Sequence, residues 1–500
     1  MKLHPSRSRR VAGYGRFATL LGAVALLLWG AVLAPLAPSQ AGRLPQAGTR
    51  GTIPYTDVDP YGVNVFLHKE AEQVKVTKTL DLASGANLAW IKQDFPWSDI
   101  EIAKKGDFTD ARNGPAKSAW DKYDFIVDQA IAHKLQVVAR ISFAPEWARA
   151  PGSAANDAPR DFKDLADFVV ALLDHYKGRV GYVQIWNEPN LNYEWKNGAK
   201  VDPAGYTEML KTVYTRAKAA DPKVTILSAP MAITLENIDY AGNLNELDYW
   251  DQMYKAGAKD YFDVLSANAY GLDLPPADPP AKDKLNFRRV ELLHDVMVQN
   301  GDGNKAVWFN EYGWNASPTT LTQEEQLHWR RVEPDVQAQY TVDGIQYALD
   351  NWPWSGVFFI WYLRQVGDIP EDKAEFYFRL ANPDFSIQPV YKAIRRAAGL
   401  YRGPGALNAS PPDAATPGAA TPPAAVTPPA ATPPAAATPI AVATTVPIDV
   451  APTATGGTIA ATPVPVPADT GGSNPLPIIV GGLLVLGGVG AIAYFLMRKK

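Results

Sequence analysis

Residues 184–190 read QIWNEPN, an apolar run that ends in a carboxylate placed between an amide and a proline. The overlapping segment VGYVQIW, residues 180–186, is short and rich in β-branched and aromatic side chains, which predicts a buried strand. Pro189 has no amide hydrogen to donate to a sheet, so we expect the strand to stop before it. Glu188 is therefore predicted at the carboxyl end of a strand, which is the rim where α/β barrels place their functional residues.

Seven further apolar runs of this kind occur along the chain, and stretches with helical spacing of apolar residues separate them. One such stretch, residues 202–220, opens with Asp202 as a cap and Pro203 at the first helical position. Eight alternations of strand and helix predict a parallel sheet closed into an α/β fold of the (β/α)₈ barrel type. The predicted strands are residues 62–68, 87–95, 135–143, 180–188, 224–230, 262–270, 306–312 and 356–362.

Composition changes sharply after the region of alternating strands and helices. Residues 55–402 are mixed and rich in aromatic side chains, whereas residues 403–475 are almost entirely Ala, Thr, Pro, Gly and Val. A segment without large apolar side chains cannot offset the entropy lost on ordering, so we expect residues 403–475 to form a disordered stalk. The 500-residue chain thus contains one barrel domain, residues 55–402, with a linker over residues 42–54.

Both ends of the sequence have features of membrane targeting. Four arginines between residues 7 and 16 precede an apolar run, and small residues follow it, which favours a signal peptide over residues 1–41. An uncleaved N-terminal anchor is the alternative. Residues 476–497 are predicted as a transmembrane helix, and the basic residues 498–500 form a cytoplasmic tail. We therefore expect the barrel on the extracellular face of the cell membrane, anchored at its C-terminus.

Charge and residue usage argue against several classes of function. The net charge of −4 comes without a basic stripe, so we expect no nucleic-acid partner. The chain has no cysteine, which excludes disulfides and thiolate chemistry. The six histidines show no paired spacing for a metal, and no Gly-rich phosphate loop follows a predicted strand. We expect neither a metal nor a cofactor, and we expect a monomer.

A second glutamate occupies the corresponding position on another predicted strand. The motif FNEYGW, residues 309–314, places Glu311 at the end of the seventh strand. The side chains of Glu188 and Glu311 can therefore converge over the barrel mouth. Cleavage of a glycosidic bond needs one carboxylic acid to protonate the leaving oxygen and one carboxylate to attack the anomeric carbon or activate water. A solvated rim residue or the partner of an arginine is the alternative for either glutamate alone.

The motifs WNEPN and FNEYGW, with the eight-strand order, resemble those of the retaining glycoside hydrolases of the (β/α)₈ clan A, the 4/7 superfamily, which includes families 5 and 39. The resemblance extends over residues 61–400 and includes the stretches 202–226 and 382–395. It implies an O-glycosyl hydrolase that cleaves β-linked oligo- or polysaccharides. It also implies that Glu188 is the acid/base, that Glu311 is the nucleophile and that Asn187 binds the sugar 2-hydroxyl.

The resemblance implies supporting roles for three further residues. Tyr270 matches an aromatic or imidazole residue that hydrogen-bonds the nucleophile, and Trp361 matches a tryptophan that stacks on the sugar; ordinary barrel packing is the alternative for each. Lys92 stands where many members of the clan carry an arginine that orients the nucleophile, and a lysine offers a point charge instead of a planar fork. Arg140 is a candidate substitute for that arginine, and a surface or salt-bridged lysine is the alternative for Lys92.

Tryptophans in the loops fit a sugar ligand less specifically. Trp97, Trp147, Trp195 and Trp314 each follow a predicted strand on the face where the loops line the cleft. Flat rings stack on the apolar faces of pyranoses, but loop tryptophans are also common packing residues. We predict Trp97, Trp147 and Trp314 as substrate contacts.

Two other functions are compatible with the same residues. A catalytically silent barrel would bind carbohydrate at the cell surface, but the intact glutamates and the asparagines before them favour catalysis. A transglycosidase would pass the sugar to another sugar, and it shares the nucleophile and the acid/base with a hydrolase. The sequence leaves open which sugar and linkage are recognised, and whether cleavage is internal or terminal.

Overall fold

The structure, a computed structural model, describes residues 53–406 apart from residues 197–198, 238–241 and 368. Its eight parallel strands, β1–β8 in chain order, are Tyr61–Val65, Trp90–Pro96, Gln136–Ser142, Tyr182–Ile185, Thr225–Leu227, Leu265–Tyr270, Val307–Gly313 and Ser355–Ile360. They form one sheet in the order β5-β4-β3-β2-β1-β8-β7-β6, which is chain order around a ring. A parallel bridge between Leu227 and Val264 joins β5 to β6. The predicted (β/α)₈ barrel is confirmed.

Helices alternate with these strands along the chain. The helix after β4 begins as the sequence predicts, because the Asp202 side chain accepts a hydrogen bond from the Gly205 amide at 2.9 Å and Pro203 occupies the first turn. Shorter helices, Trp97–Ile100, Asn192–Trp195 and Gln323–Trp329, lie in loops that follow β2, β4 and β7. The barrel helices α1–α8 are Gln73–Gly85, Asp121–Ala132, Phe162–His175, Pro203–Ala220, Glu246–Lys255, Val290–Gln299, Pro334–Asn351 and Pro389–Leu400.

Seven of the eight strands are shorter than the sequence pattern predicts, and β4 and β5 are shortened most. β4 ends at Ile185 instead of residue 188, because Trp186 and Glu188 have φ angles of 72° and 40°, in the left-handed region that a strand does not enter. β5 covers only residues 225–227 of the predicted 224–230. A small hairpin that the pattern does not predict, Thr109–Asp110 with Lys117–Ser118, lies between β2 and α2.

Aromatic side chains fill the barrel interior near the amino ends of the strands. The Trp90 ring contacts the rings of Tyr182 and Trp308, with centroids 4.9 Å and 5.1 Å away. The indole of Trp90 donates to the Asp59 carbonyl, and that of Trp308 donates to the Tyr55 carbonyl. The segment before β1 therefore covers this end of the barrel.

Several predicted segments lie outside the described residues. They are the signal peptide, the linker apart from residues 53–54, the stalk beyond residue 406, the transmembrane helix and the basic tail. None of the helices within residues 53–406 combines the length and the apolar character that crossing a membrane requires.

Candidate functional site

The QIWNEPN segment forms a tight turn after β4 that its own polar groups stabilise. The Gln184 side-chain amide donates to the carbonyl of Trp186 at 2.8 Å. The Glu188 amide donates to the carbonyl of Pro230, beyond β5, at 3.0 Å. These bonds hold Trp186 and Glu188 at positive φ, a conformation that costs non-glycine residues on the order of 1–3 kcal/mol each. Glu188 therefore lies three residues beyond the end of β4, on backbone that the neighbouring loop fixes.

Asn190 attaches this turn to the loop after β5. Its side-chain amide donates to the carbonyls of Ala232 and Leu244 at 2.9 Å each, and its side-chain oxygen accepts from the Ala232 amide at 2.9 Å. Both donor hydrogens of this buried amide and one lone pair of its oxygen are thus used between the two loops. The final asparagine of the motif has a structural role and leaves Glu188 as the residue that faces the barrel mouth.

A β-bulge in β7 determines the direction of the second glutamate. Ala267 on β6 pairs with Phe309 on β7, but the next residue, Asn268, pairs with Glu311. Asn310 is therefore an extra residue in β7. The Asn64 side-chain amide donates to the Asn310 carbonyl at 3.0 Å. Because an extra residue reverses the alternation of side chains beyond it, the bulge directs Glu311 toward the groups inside the barrel.

The two glutamates meet at a single amide. The Asn268 nitrogen lies 2.7 Å from Glu188 Oε1 and 3.5 Å from Glu311 Oε2. The sum of these distances, about 6.2 Å, is an upper limit on the separation of the two carboxylate oxygens. Both glutamates are 2% exposed. The structure thus brings together the two carboxylates that the sequence predicts as a pair.

Glu311 lies among groups that favour a carboxylate ion. The Tyr270 hydroxyl donates to its Oε2 at 2.8 Å, as the sequence analysis predicts for a hydrogen bond between these residues. Lys92 Nζ lies 4.0 Å from its Oε1, which places this lysine beside the glutamate although it stands near the beginning of β2. Arg140 is also buried nearby and pairs with Asp94, with Nε and Oδ1 3.3 Å apart. Two buried cations and a hydroxyl donor therefore surround Glu311.

These surroundings separate the proton affinities of the two glutamates. Burial, followed by repulsion from Glu311 and Glu194, raises the pKa of Glu188 well above its ordinary value. Burial also raises the pKa of Glu311, but the charges of Lys92 and Arg140 and the Tyr270 hydroxyl oppose that rise. These surroundings therefore favour a shared proton on Glu188 over Glu311.

The pKa values of Lys92 and Tyr270, which lie beside Glu311, are also shifted. Burial lowers the pKa of Lys92 to about 8, and the attraction of Glu311 opposes this effect. Burial raises the pKa of Tyr270 well above its ordinary value, so its hydroxyl remains a hydrogen-bond donor. Both groups consequently support an ionised Glu311 at neutral pH.

Several residues of the site and of its predicted substrate contacts have a buried polar atom without a hydrogen-bond partner among the described residues. In the part of the chain that the structure describes, no hydrogen-bond partner is found for Glu188 Oε2, Lys92 Nζ, Asn187 Oδ1, Asn268 Oδ1 or Trp361 Nε1. Buried polar atoms in folded proteins nearly always have a partner, so such a group of vacant donors and acceptors points to a polar ligand. Asn187 and Trp361, both predicted from the sequence, contribute one acceptor and one donor to this group.

The other predicted tryptophans lie in packed surroundings, and each indole donates a hydrogen bond to a protein group. The Trp97 indole is fully buried and donates to Glu101 Oε2 at 2.6 Å, and the half-buried Trp147 donates to the Glu101 carbonyl at 2.9 Å. Trp314 is 1% exposed and donates to the Leu274 carbonyl at 2.8 Å. Their indole N–H groups are therefore occupied within the protein, and their contact with a substrate stays a prediction.

Asn268 is the site residue that the sequence analysis misses. It lies two residues before Tyr270 on β6, and side chains two apart on a strand share a face. That spacing is the signal that could have identified it once Tyr270 was assigned to the site. Among the described residues, no group of three or more His, Asp or Glu side chains is arranged to hold a metal ion.

Comparisons with known proteins agree with the fold. No family model matches the sequence, and no curated protein matches it. The structure is similar to a family 39 glycoside hydrolase from the gut symbiont Bacteroides cellulosilyticus WH2, with 19% identity and a TM-score of 0.51 over 68% of this chain and 64% of that one. A GH39 enzyme from Xanthomonas axonopodis pv. citri has 16% identity and a TM-score of 0.48 over 68% and 65% of the two chains.

A monomeric β-xylosidase from Caulobacter crescentus CB15 shows 17% identity and a TM-score of 0.48, over 69% of this chain and 68% of that one. The chain spans less than two thirds of the length of the Bacteroides and Xanthomonas proteins. At an identity of 19%, the similarity to the Bacteroides structure shows the fold alone. The protein has the (β/α)₈ barrel fold that is also found in the family 39 glycoside hydrolase from Bacteroides cellulosilyticus WH2.

Proposed function

We propose that the protein is a retaining glycosidase that hydrolyses β-linked glycosides by double displacement. The observation that supports this most strongly is the buried pair of Glu188 and Glu311, which one amide joins. Negative charges near Glu188 raise its pKa, whereas Lys92 and Arg140 oppose the rise in the pKa of Glu311. A neutral carboxylic acid and a carboxylate within reach of one bond are the two groups that glycoside hydrolysis requires.

In the first step, Glu311 Oε1 attacks the anomeric carbon while its Oε2 stays hydrogen-bonded to Tyr270. A bond forms between Oε1 and the anomeric carbon, and the glycosidic C–O bond breaks. The electron pair of that bond goes to the leaving oxygen, which takes the proton of Glu188. Lys92 and Arg140 stabilise the ionised Glu311 before the attack, and Asn187 is the proposed partner of the sugar 2-hydroxyl.

In the second step, Glu188 is a carboxylate and acts as the base. It takes a proton from a water molecule, whose oxygen attacks the anomeric carbon and displaces Glu311. The resulting sugar carries a hydroxyl on the face from which the leaving group departed. Glu188 regains its proton and Glu311 regains its charge, so the site returns to its starting state.

The separation of the carboxylates supports retention. Retaining enzymes place the two groups ~5–5.5 Å apart, whereas inverting enzymes need roughly 6.5–9.5 Å to admit a water molecule. The limit of about 6.2 Å on the distance between Glu188 Oε1 and Glu311 Oε2 lies below the inverting range. We expect proton NMR of the first-formed sugar to show the same anomeric configuration as the substrate. An inverted first product would contradict the proposed mechanism.

The identity of the sugar is a separate question that a screen can answer. A panel of aryl β-glycosides that includes xylosides, glucosides and mannosides should give release of the aryl group with at least one member. Adding an acceptor sugar distinguishes hydrolysis from transfer, because a transglycosidase makes a new oligosaccharide in its presence. Binding of sugars without turnover of any glycoside would favour the silent carbohydrate-binding barrel instead.

We also propose that the barrel is exported and held at the membrane by residues 476–497, a proposal that rests on the sequence alone. Removing the residues from Ile478 onward should release active protein into the medium. The measurement is the distribution of aryl glycosidase activity between membranes and medium, with the full-length chain as control. If the shortened chain stays in the membrane fraction, residues 1–41 are an uncleaved anchor rather than a signal peptide.

A further inference from the structure

Asn268 is placed to determine which oxygen of Glu188 carries the proton. Its Nδ2 donates to Glu188 Oε1 at 2.7 Å, and Glu188 Oε2 has no hydrogen-bond partner among the described residues. The carbonyl oxygen of a carboxylic acid is a better acceptor than its hydroxyl oxygen. With Oε1 engaged as an acceptor, the acid proton therefore belongs on Oε2, which is the oxygen left available to a ligand.

The orientation of the Asn268 amide follows from its neighbours. In the opposite orientation its carbonyl oxygen would face Glu188 Oε1 and Glu311 Oε2, at 2.7 Å and 3.5 Å. Repulsion from the ionised Glu311 disfavours that arrangement, whereas the two N–H groups of the amide can each point at one carboxylate. The amide is also neutral at every accessible pH, so it can remain in place while Glu188 loses and regains its proton.

We propose that Asn268 is a positioning residue that keeps the proton of Glu188 on Oε2 and aligns Glu188 with Glu311. This inference rests on the proposed glycosidase function and extends it to a residue outside the two motifs. Asn268 is buried on β6, so the packing of the strand and the bond to Glu188 fix its side chain. Substrate need not touch Asn268 for this role, because Asn268 acts through Glu188.

Other charged and titratable groups also act on Glu188, and a test must separate them from Asn268. They lie on β2, on β3, on the short helix after β4, on β6 and on β7. All of them remain in place when only Asn268 is changed. These groups are Lys92, Arg140, Glu194, Tyr270 and Glu311.

The first test compares substrates that differ in their need for the acid. The rates are measured on the full-length protein at pH 6, where Lys92 is charged. We expect Asn268→Leu to lower kcat/KM for a phenyl glycoside by a factor about ten or more times larger than the factor for a dinitrophenyl glycoside. Dinitrophenol leaves without protonation, so the decrease in kcat/KM for its glycoside measures only a general disturbance of the site. Ser266→Ala, at the buried position two residues earlier on the same strand, is the matched control and should lower both rates equally or not at all.

The second test does not depend on turnover. Protein labelled with ¹³C at the glutamate side-chain carboxyl is titrated by NMR, and the Glu188 signal is assigned from its absence in Glu188→Gln. A donated hydrogen bond favours the ionised form, so Asn268→Leu should raise the pKa of Glu188 by about 0.5 or more. Asn268→Ala provides the same comparison if the leucine variant does not fold.

The outcomes distinguish the two proposals. Equal losses for both leaving groups, with the Glu188 titration unchanged, would overturn the role of Asn268 and leave the glycosidase proposal intact. A wild-type protein that cleaves no glycoside would overturn the glycosidase proposal, while the NMR titration still decides whether Asn268 controls the protonation of Glu188. A substrate-dependent loss together with a raised Glu188 pKa supports both.

Discussion

Glu311→Ala is expected to lower kcat/KM by roughly 10⁴-fold or more for every glycoside, whatever its leaving group. The variant lacks the nucleophile, so no covalent glycosyl-enzyme can form and protonation of the leaving group by Glu188 cannot compensate. It also leaves the Lys92 ammonium without the carboxylate that lies 4.0 Å from it. Steady-state rates with an activated and a poor leaving group are the measurement.

Azide provides the second part of this test. With the Glu311 side chain removed, a small anion can enter from the vacated face and displace the leaving group directly, so the glycosyl azide should have inverted configuration. Glu208→Ala, at a surface position of α4, is a control for variant preparation and should behave as the wild type. Unchanged activity of Glu311→Ala would mean that Glu311 is not the nucleophile.

Glu188→Ala is expected to separate substrates by leaving group. The nucleophile remains, so the first step with a dinitrophenyl glycoside should stay within about tenfold of wild type, because this phenol leaves without a proton. With a phenyl glycoside or a natural oligosaccharide, the loss should reach about 10²–10⁴-fold, the usual contribution of general acid catalysis. Pre-steady-state kinetics should show a burst, since the covalent intermediate forms and no base then activates water.

The azide product again identifies the role. Azide needs no base, so it should restore turnover of Glu188→Ala by attacking the glycosyl-enzyme, and the glycosyl azide should retain the configuration of the substrate. Retention in Glu188→Ala together with inversion in Glu311→Ala assigns the two glutamates. The reverse pattern would mean that their roles are exchanged. Thermal unfolding of both variants shows whether a loss of activity reflects a loss of fold.

The protonation of Glu188 is favoured by the same surroundings that keep Glu311 ionised. Because the pKa of Glu188 is raised, its acid form persists to higher pH than that of an ordinary glutamate, and acid catalysis is lost as the pH rises through that pKa. The pKa values of two identical side chains are thus affected differently, by the negative charges near Glu188 and by Lys92 and Arg140 near Glu311.

The sequence by itself determined the features that depend on local pattern. The barrel follows from eight apolar runs separated by helical stretches, since a buried parallel strand needs apolar side chains on both faces. The motifs around Glu188 and Glu311 determined the candidate pair, and the proximity of Tyr270 and Lys92 to Glu311 agrees with the resemblance. The barrel prediction is confirmed, because it rests on patterns among residues close together in the chain, whereas the roles assigned to the site residues stay predictions.

Only the tertiary structure decided the features that join distant segments. Asn268 is 80 residues from Glu188 and 43 from Glu311, so no local pattern marks it as the amide between them. The end of β4 depends on a bond from Glu188 to the carbonyl of Pro230, and the bulge that orients Glu311 is contacted by Asn64. Burial and pairing of these polar groups arise only when the strands close into a ring, because the hydrogen-bond partners come from different strands and loops.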